Sequence, residues 1–238
     1  DPTSNSNGSF TYTSSNTNIA SIVGSTVSII GSGTVTITAS QSSTSNYNAG
    51  VISATITINK GNPNITGFNT INKTFGDGIF SISAPNSNSN GIFTYASSNT
   101  SVATISGTTI SIVGAGTATI TATQSSNSNY NSGNITTTLT IAKANPSFGN
   151  FNSVTKAVGD TNFNITAPTS NSSGAITYSI NDLTVATVTG SNVSIIGAGT
   201  ATITASQAST NNFNAGTITT TITVTQANPT ITGFTNIN

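Results

Sequence analysis

The chain has 238 residues, of which 3% are charged, and its four lysines balance its four aspartates. It contains no Cys, His, Met or Trp. This composition excludes a basic surface for nucleic acid or anionic lipid, and it excludes disulfides and cysteine or histidine metal sites. No apolar run approaches the ~18 residues of a membrane-spanning helix, so we expect no membrane insertion.

Internal repetition with a period of 83 residues organises the chain. The recurring residues include Tyr12, Tyr95 and Tyr178; Gly33, Gly116 and Gly199; Gln41, Gln124 and Gln207; and Pro63, Pro146 and Pro229. A period of this length suits a small domain in tandem. We predict an incomplete repeat 1 at 1–61, complete repeats 2 and 3 at 62–144 and 145–227, and the start of a further repeat at 228–238. Repeat 1 has no counterpart of KTFGDGIFSIS (73–83), as expected for a window of a longer array.

Within repeat 2 the apolar residues alternate with polar ones, which predicts strands. Short strands are expected at 79–83, 91–96, 102–105 and 108–113. They are followed by GTATITATQ (116–124) and NITTTLTIA (134–142), where threonine occupies every second position. Strict alternation of this kind is typical of half-buried strands, and nothing shows helical spacing. About seven short strands in each copy favour an all-β, antiparallel β-sandwich.

KTFGDGIFSISAP (73–85) and FTYASSNTSVATISGTTISIVGAGTATITAT (93–123) resemble the bacterial Ig-like domain of group 2. That family occurs in tandem in invasin- and intimin-type surface proteins and in structural proteins of phages and large viruses. The resemblance covers essentially the whole chain, although repeat 3 diverges in the loop after Tyr178 and Tyr95 stands where the family often has Trp. It implies tandem Ig-like sandwiches in an extracellular array, and it brings no catalytic residue.

The resemblance and the repetition together predict a structural segment of an extracellular fibre, stalk or surface filament, on a cell or a virion. Its expected partners are adjacent repeats or neighbouring copies of the chain. The alternative is an adhesin module that binds glycans or a surface through its polar loops.

The polar loops carry one recurring aromatic residue, in STSNYNAG (43–50), SNSNYNSG (126–133) and STNNFNAG (209–216). Such a ring can stack on a sugar, or it can be packed as a plug against the end of its own sandwich. Tyr47, Tyr130 and Phe213 keep the ring but not the hydroxyl. Every copy has the same packing need, so the pattern favours the plug.

Residues able to carry other chemistry are few. GDG (76–78) and GAG (114–116) precede strands rather than helices, so they predict turns and not phosphate loops. Asp77 and Asp160 are the recurring carboxylates, too few for calcium. Without His, Cys or Glu, a serine nucleophile has no ordinary base. We therefore predict no catalytic, cofactor or metal site and no enzyme activity.

Three weaker hypotheses concern modification and surfaces. Lys73 with Asp77, or Lys156 with Asp160, is a candidate for a Lys–Asn cross-link. The exposed threonines are interpreted as ordinary strand faces rather than an ice-binding array. Eight glycosylation sequons occur but do not recur between copies, so we interpret them as accidental: Asn7, Asn64, Asn72, Asn99, Asn134, Asn164, Asn171 and Asn192.

Similar segments recur at the repeat boundaries: GNPNITGF (61–68), ANPSFGNF (144–151) and ANPTITGF (227–234). Asn-Pro predicts an extended chain, and Phe68, Phe151 or Phe234 is expected to wedge against a neighbouring repeat and stiffen the array. A further hypothesis is donor-strand addition, in which 228–238 of one chain completes repeat 1 of another.

Overall fold

A computed structural model describes residues 1–233 as strands, turns and coil, and no residue of that range lies in a helix. No helix that could span a membrane is therefore present among them. Repeat 1 contains β1 (Phe10–Ser14), β2 (Ala20–Val23), β3 (Thr26–Ile29), β4 (Gly33–Gln41) and β5 (Gly50–Ile58). The strands pair as β1-β4-β5 in one sheet and β2-β3 in another.

Repeat 2 shows the fuller arrangement of two facing sheets. Its strands are β6 (Ile65–Thr66), β7 (Ile71–Thr74), β8 (Phe80–Ser81), β9 (Asn86–Ser87), β10 (Phe93–Ser97), β11 (Ala103–Ser106), β12 (Thr109–Ile112), β13 (Gly116–Gln124) and β14 (Gly133–Ala142). One sheet has the order β10-β13-β14-β7 and the other β11-β12-β8, while β6 pairs with β9. All pairs are antiparallel except β7 with β14, which are parallel and place Ile71 opposite Leu139.

The core of repeat 2 lies between its two sheets. Ile120 and Leu139 from one sheet and Ile110 from the other are fully buried. Burying each such side chain stabilises the fold by about 1.5–3 kcal/mol. The outward positions are all threonines in β13 and mostly threonines in β14, and their branched side chains suit a pleated surface that faces solvent.

Repeat 3 has the same two facing sheets, and a single bridge between Phe148 and Ser170 takes the place of the β6–β9 pair. Its strands are β15 (Val154–Ala157), β16 (Phe163–Asn164), β17 (Ile176–Ile180), β18 (Ala186–Thr189), β19 (Asn192–Ile195), β20 (Gly199–Gln207) and β21 (Gly216–Thr225). The sheets are β15-β21-β20-β17 and β16-β19-β18, and β15 is parallel to β21. Ile203 and Ile222 face Val193 across the core.

Repeat 1 is more open, because neither of its sheets has a counterpart of β7 or β8. Ile29 in β3 is 70% exposed and Ile52 in β5 is 58% exposed, whereas their counterparts Ile112 and Ile135 are half-buried. The apolar face of repeat 1 is therefore uncovered where repeats 2 and 3 place an edge strand.

The predicted all-β sandwich is confirmed, and the expected strands lie within a few residues of the observed ones. The short strands β6, β7 and β9 were not predicted. The predicted repeat boundaries and the donor-strand hypothesis stay predictions: residues 228–233 lie in no strand, and 234–238, with Phe234, lie outside the described residues.

Candidate functional site at the junctions between repeats

The loop that carries the recurring ring is shaped by its own residues. In repeat 2 the backbone N–H of Asn127 donates to the Tyr130 carbonyl (3.0 Å), and Asn127 Oδ1 accepts from the N–H groups of Asn129 (2.9 Å) and Tyr130 (2.8 Å). Thr44 and Thr210 replace Asn127 in the other repeats and donate the same backbone bond at 2.9 Å. Asn and Thr favour such turns because their side chains bond the local backbone.

The linker between repeats 1 and 2 runs alongside this loop. The Gly61 N–H donates to the Asn129 carbonyl (2.9 Å), and the Gly61 carbonyl accepts from the Asn131 N–H (2.8 Å), forming a parallel bridge opposite Tyr130. The amide of Asn131 also donates to Asn62 Oδ1 (2.9 Å). These bonds pair the linker with the loop in the way that two neighbouring β-strands pair.

Further hydrogen bonds join the body of repeat 1 to the loop of repeat 2. Ser32, in the turn before β4, donates its backbone N–H to Asn129 Oδ1 (2.9 Å) and its hydroxyl to the Ser128 carbonyl. The Lys60 ammonium donates to the Asn127 carbonyl (2.6 Å). Each bond contributes about 0.5–1.5 kcal/mol to holding the loop of repeat 2 on repeat 1.

The junction between repeats 2 and 3 has the same construction. Ala144 exchanges two backbone hydrogen bonds with the loop (3.0 and 2.8 Å), as Gly61 does. Lys143 Nζ donates to the Thr210 carbonyl (2.5 Å), and the Ala115 N–H donates to Asn212 Oδ1 (2.9 Å). The junctions therefore share their contacts although several of their residues differ.

The recurring ring packs in this junction. Tyr130 is half-buried beside Gly61, where an added Cβ would lie 3.5 Å from the ring. Phe213 is also half-buried, and its ring meets the edge of Phe75 from the preceding repeat at 5.5 Å. Tyr47, the counterpart in repeat 1, is 44% exposed. The ring is thus half-buried at the junction, in contact with the linker in repeat 2 and with the preceding repeat in repeat 3.

The prediction that the linker phenylalanines wedge against a neighbouring repeat was wrong for Phe68 and Phe151. Phe68 packs on Tyr95 and Phe151 on Tyr178, each at 6.3 Å between ring centroids, and both join the core of their own repeat. They follow the linker closely enough in sequence to be drawn into the sandwich that they precede. The contacts between repeats come from the polar loops instead.

The linker prolines pack on the glycines that begin β14 and β21. A Cβ added at Gly133 would lie 2.6 Å from Pro63 Cγ, and one added at Gly216 would lie 2.5 Å from Pro146 Cγ. At Gly50, the counterpart in repeat 1, nothing lies within 4 Å. The glycines therefore make room for the incoming linker.

The glycine turns, aspartates and lysines that the sequence offered as candidates for chemistry make local contacts within their own repeat. Gly76 has a φ of 94° in the turn after β7, and the Asp77 carboxylate closes that turn by accepting from the Thr74 N–H (2.9 Å). GAG (114–116) is a bend that leads into β13. Lys73 Nζ lies 5.0 Å from the centroid of the Phe80 ring and is not brought onto Asp77. Residues 1–233 hold no cluster of three or more His, Cys, Asp or Glu side chains.

The divergent loop of repeat 3 keeps the turn found in repeat 2. The hydroxyl of Thr184 (2.6 Å) and its backbone N–H (2.9 Å) donate to Asp182 Oδ1, and these bonds lower the pKa of the Asp182 carboxyl. Asn99 accepts the equivalent bonds from Ser101 in repeat 2. The aspartate is therefore accounted for by local turn chemistry.

A buried glutamine was missed as a structural residue. Gln124 is 1% exposed; its Nε2 donates to the carbonyls of Ser89 and Gly91 (2.9 Å each), and its Oε1 accepts from the Ser87 hydroxyl (2.7 Å). Gln207 makes the equivalent bonds in repeat 3. The signal was available, because the alternation of β13 places Gln124 on the inward face.

The two facing sheets of repeats 2 and 3 make the fold an all-β, Ig-like sandwich. Residues 80–132 match the model of the bacterial Ig-like domain (group 2), which confirms the resemblance for that segment. A comparison with curated proteins finds no match.

Several solved structures are similar in fold. The insect immune protein hemolin is 16% identical, with 81% of this chain and 56% of that chain covered and a TM-score of 0.38. The titin domains z1z2, in complex with telethonin, are 14% identical (72% and 100% covered, TM-score 0.35). Drosophila N-cadherin EC1-3 is 9% identical (95% and 92% covered, TM-score 0.33). Because the sequence identities and TM-scores are this low, these structures support no conclusion about function.

Proposed function

We propose that this chain is a structural segment of an extracellular fibre, stalk or surface filament, in which Ig-like repeats are held in a fixed relative orientation. Its place is the surface of a cell or virion, and its partners are the adjacent repeats. The observation that carries the proposal is the equivalence of the two junctions. Each combines a backbone bridge, a lysine bonded to a loop carbonyl and an asparagine that reaches back to the preceding repeat.

The alternative, glycan binding through the polar loops, has less support. In the loops at 126–133 and 209–216, backbone groups bond to the linkers and the aromatic rings pack at the junctions. Only the loop of repeat 1 presents its ring to solvent among the described residues, with Tyr47 44% exposed. A loop that serves the junction in two repeats of three is best interpreted as a connector.

The proposal is tested by the distribution of distances between neighbouring repeats. The chain has no cysteine, so spin labels can be attached at Ser25→Cys and Thr108→Cys, exposed positions at equivalent hairpin tips of repeats 1 and 2. We expect a narrow distribution in pulsed electron resonance. Adding Lys60→Met and Asn129→Ala should broaden it, because these substitutions remove the bonds that cross the junction.

A label pair within repeat 2, Thr108→Cys with Thr138→Cys, is the control and should keep its width in the junction variant. A broad distribution in the otherwise unchanged chain would contradict the fixed junction. A narrow distribution that survives both substitutions would show that these contacts are not its source.

A further inference from the structure

Both complete repeats contain a cleft between their two sheets, outside the junctions. It opens between the edge strands β7 and β8 in repeat 2 and between β15 and β16 in repeat 3. The volumes are about 380 and 340 Å³, within the range of small-molecule sites. Repeat 1, which has no counterpart of either edge strand, has no equivalent cleft among the residues described.

The two clefts have closely similar linings. The residues shared by position are Phe68 and Phe151, Asn69 and Asn152, Lys73 and Lys156, Phe80 and Phe163, and Ile82 and Ile165. Hydroxyl side chains lie at two further equivalent positions, Thr70 with Ser153 and Ser83 with Thr166. Each cleft thus combines two phenylalanines with amide and hydroxyl groups that can both donate and accept hydrogen bonds.

A single positive charge, without an acidic partner, belongs to each cleft. Lys73 and Lys156 are half-buried, and their ammonium groups lie 5.0 and 5.2 Å from the ring centroids of Phe80 and Phe163. Within residues 1–233 neither ammonium has an ion pair or a hydrogen-bond acceptor. Lys60 and Lys143, in contrast, donate to carbonyl oxygens.

The cleft of repeat 3 also reaches Thr220, which is 9% exposed. Its hydroxyl adds a further group that can both donate and accept hydrogen bonds.

We propose that each cleft binds one acidic sugar residue, with the ring against the phenylalanines and the carboxylate on Lys73 or Lys156. A pyranose has the required shape, because it presents C–H groups on its faces and hydroxyls on its rim. The carboxylate supplies the charge that the lysine lacks. This inference goes beyond the proposed structural role and does not depend on it.

An inward-pointing lysine on an edge strand also protects that edge from pairing with other chains, and a lysine with that role alone would recognise no ligand. The test is an amide NMR titration of the full chain with glucuronate, and with glucose as its neutral counterpart. We expect glucuronate to shift amides around Phe68 and Phe80 and around Phe151 and Phe163, and to leave repeat 1 unchanged. Glucose should bind roughly tenfold or more weakly.

The variant Lys73→Met with Lys156→Met should weaken glucuronate binding by roughly tenfold or more. The matched control, Lys60→Met with Lys143→Met, makes the same change in net charge outside the clefts and should bind as the unmodified chain does. No amide shift with glucuronate, equal binding of glucose, or an equal loss of binding in the control would overturn the proposal.

A galacturonate trimer separates two sources of the ligand. Tighter binding of the trimer than of galacturonate itself indicates an acidic polysaccharide, and equal binding indicates a single sugar acid.

Discussion

The hydroxyl of Tyr95 is buried in repeat 2 without a hydrogen-bond partner, although its ring lies 6.3 Å from that of Phe68 and 6.4 Å from that of Phe93. The ring contributes to the core, and the hydroxyl is desolvated without compensation. Burial also raises the pKa of Tyr95, because the charged phenolate is disfavoured there, and it raises the pKa of Tyr178 in the same way.

Tyr95→Phe should therefore stabilise repeat 2 by about 1 kcal/mol at neutral pH, since it removes an unpaired polar group. The free energy of unfolding of that repeat follows from hydrogen exchange of its slowest amides. Tyr178→Phe is the control with a smaller expected effect, because the Tyr178 hydroxyl is not among the buried groups without a partner.

Above the ordinary tyrosine pKa of about 10, tyrosine in the unfolded chain ionises before tyrosine in the folded chain. The free energy of unfolding therefore falls as the pH rises, and Tyr95→Phe should reduce that fall.

Unlike the Tyr95 hydroxyl, the buried Gln124 amide has hydrogen-bond partners for its nitrogen and its oxygen. Gln124→Leu should destabilise repeat 2 by about 2–4 kcal/mol, because it leaves the Ser89 and Gly91 carbonyls and the Ser87 hydroxyl without their partner. Gln41→Leu in the more open repeat 1 should cause a smaller loss. Equal losses in urea unfolding of the two variants would contradict the dependence on burial.

The strands that begin beside a linker require a residue without a side chain. Gly133→Ala and Gly216→Ala place a Cβ within 2.6 and 2.5 Å of a linker proline ring, so one partner must move. We expect each to destabilise its junction by about 1–3 kcal/mol, as overpacking does. Gly50→Ala is the matched control, with open space at the same position, and should be neutral. Thermal unfolding of the three variants would show the difference, and a loss at Gly50 equal to the others would contradict it.

The sequence was sufficient for the long strands and for the repeat, because alternation and recurrence are properties of neighbouring residues. It was insufficient for β6 and β9, whose two residues give no measurable alternation. It also misplaced the junction contacts. Ser32 and Asn129 are 97 residues apart in the chain, so their contact depends on how one folded repeat sits on another, which no local pattern records.

The clefts were missed for a related reason. Lys73 and Phe80 lie on two different edge strands, and they line one opening only once both strands are in place. No local sequence pattern records that proximity.

Across the whole molecule, the three loops are built alike. Thr44, Asn127 and Thr210 donate the same backbone hydrogen bond, to the carbonyls of Tyr47, Tyr130 and Phe213, at 2.9, 3.0 and 2.9 Å. The loop therefore takes this form from its own residues, both where its ring is exposed, as at Tyr47, and where the ring is half-buried.

The parallel pairing of β7 with β14 gives each complete repeat a mechanical property. The two strands lie near opposite ends of the repeat in sequence and are joined side by side over four residue pairs, from Ile71–Leu139 to Thr74–Ala142. A pull on the two ends of the array slides these strands past each other, so their hydrogen bonds are loaded together rather than opened one after another. The repeat is thereby suited to bearing tension along the chain.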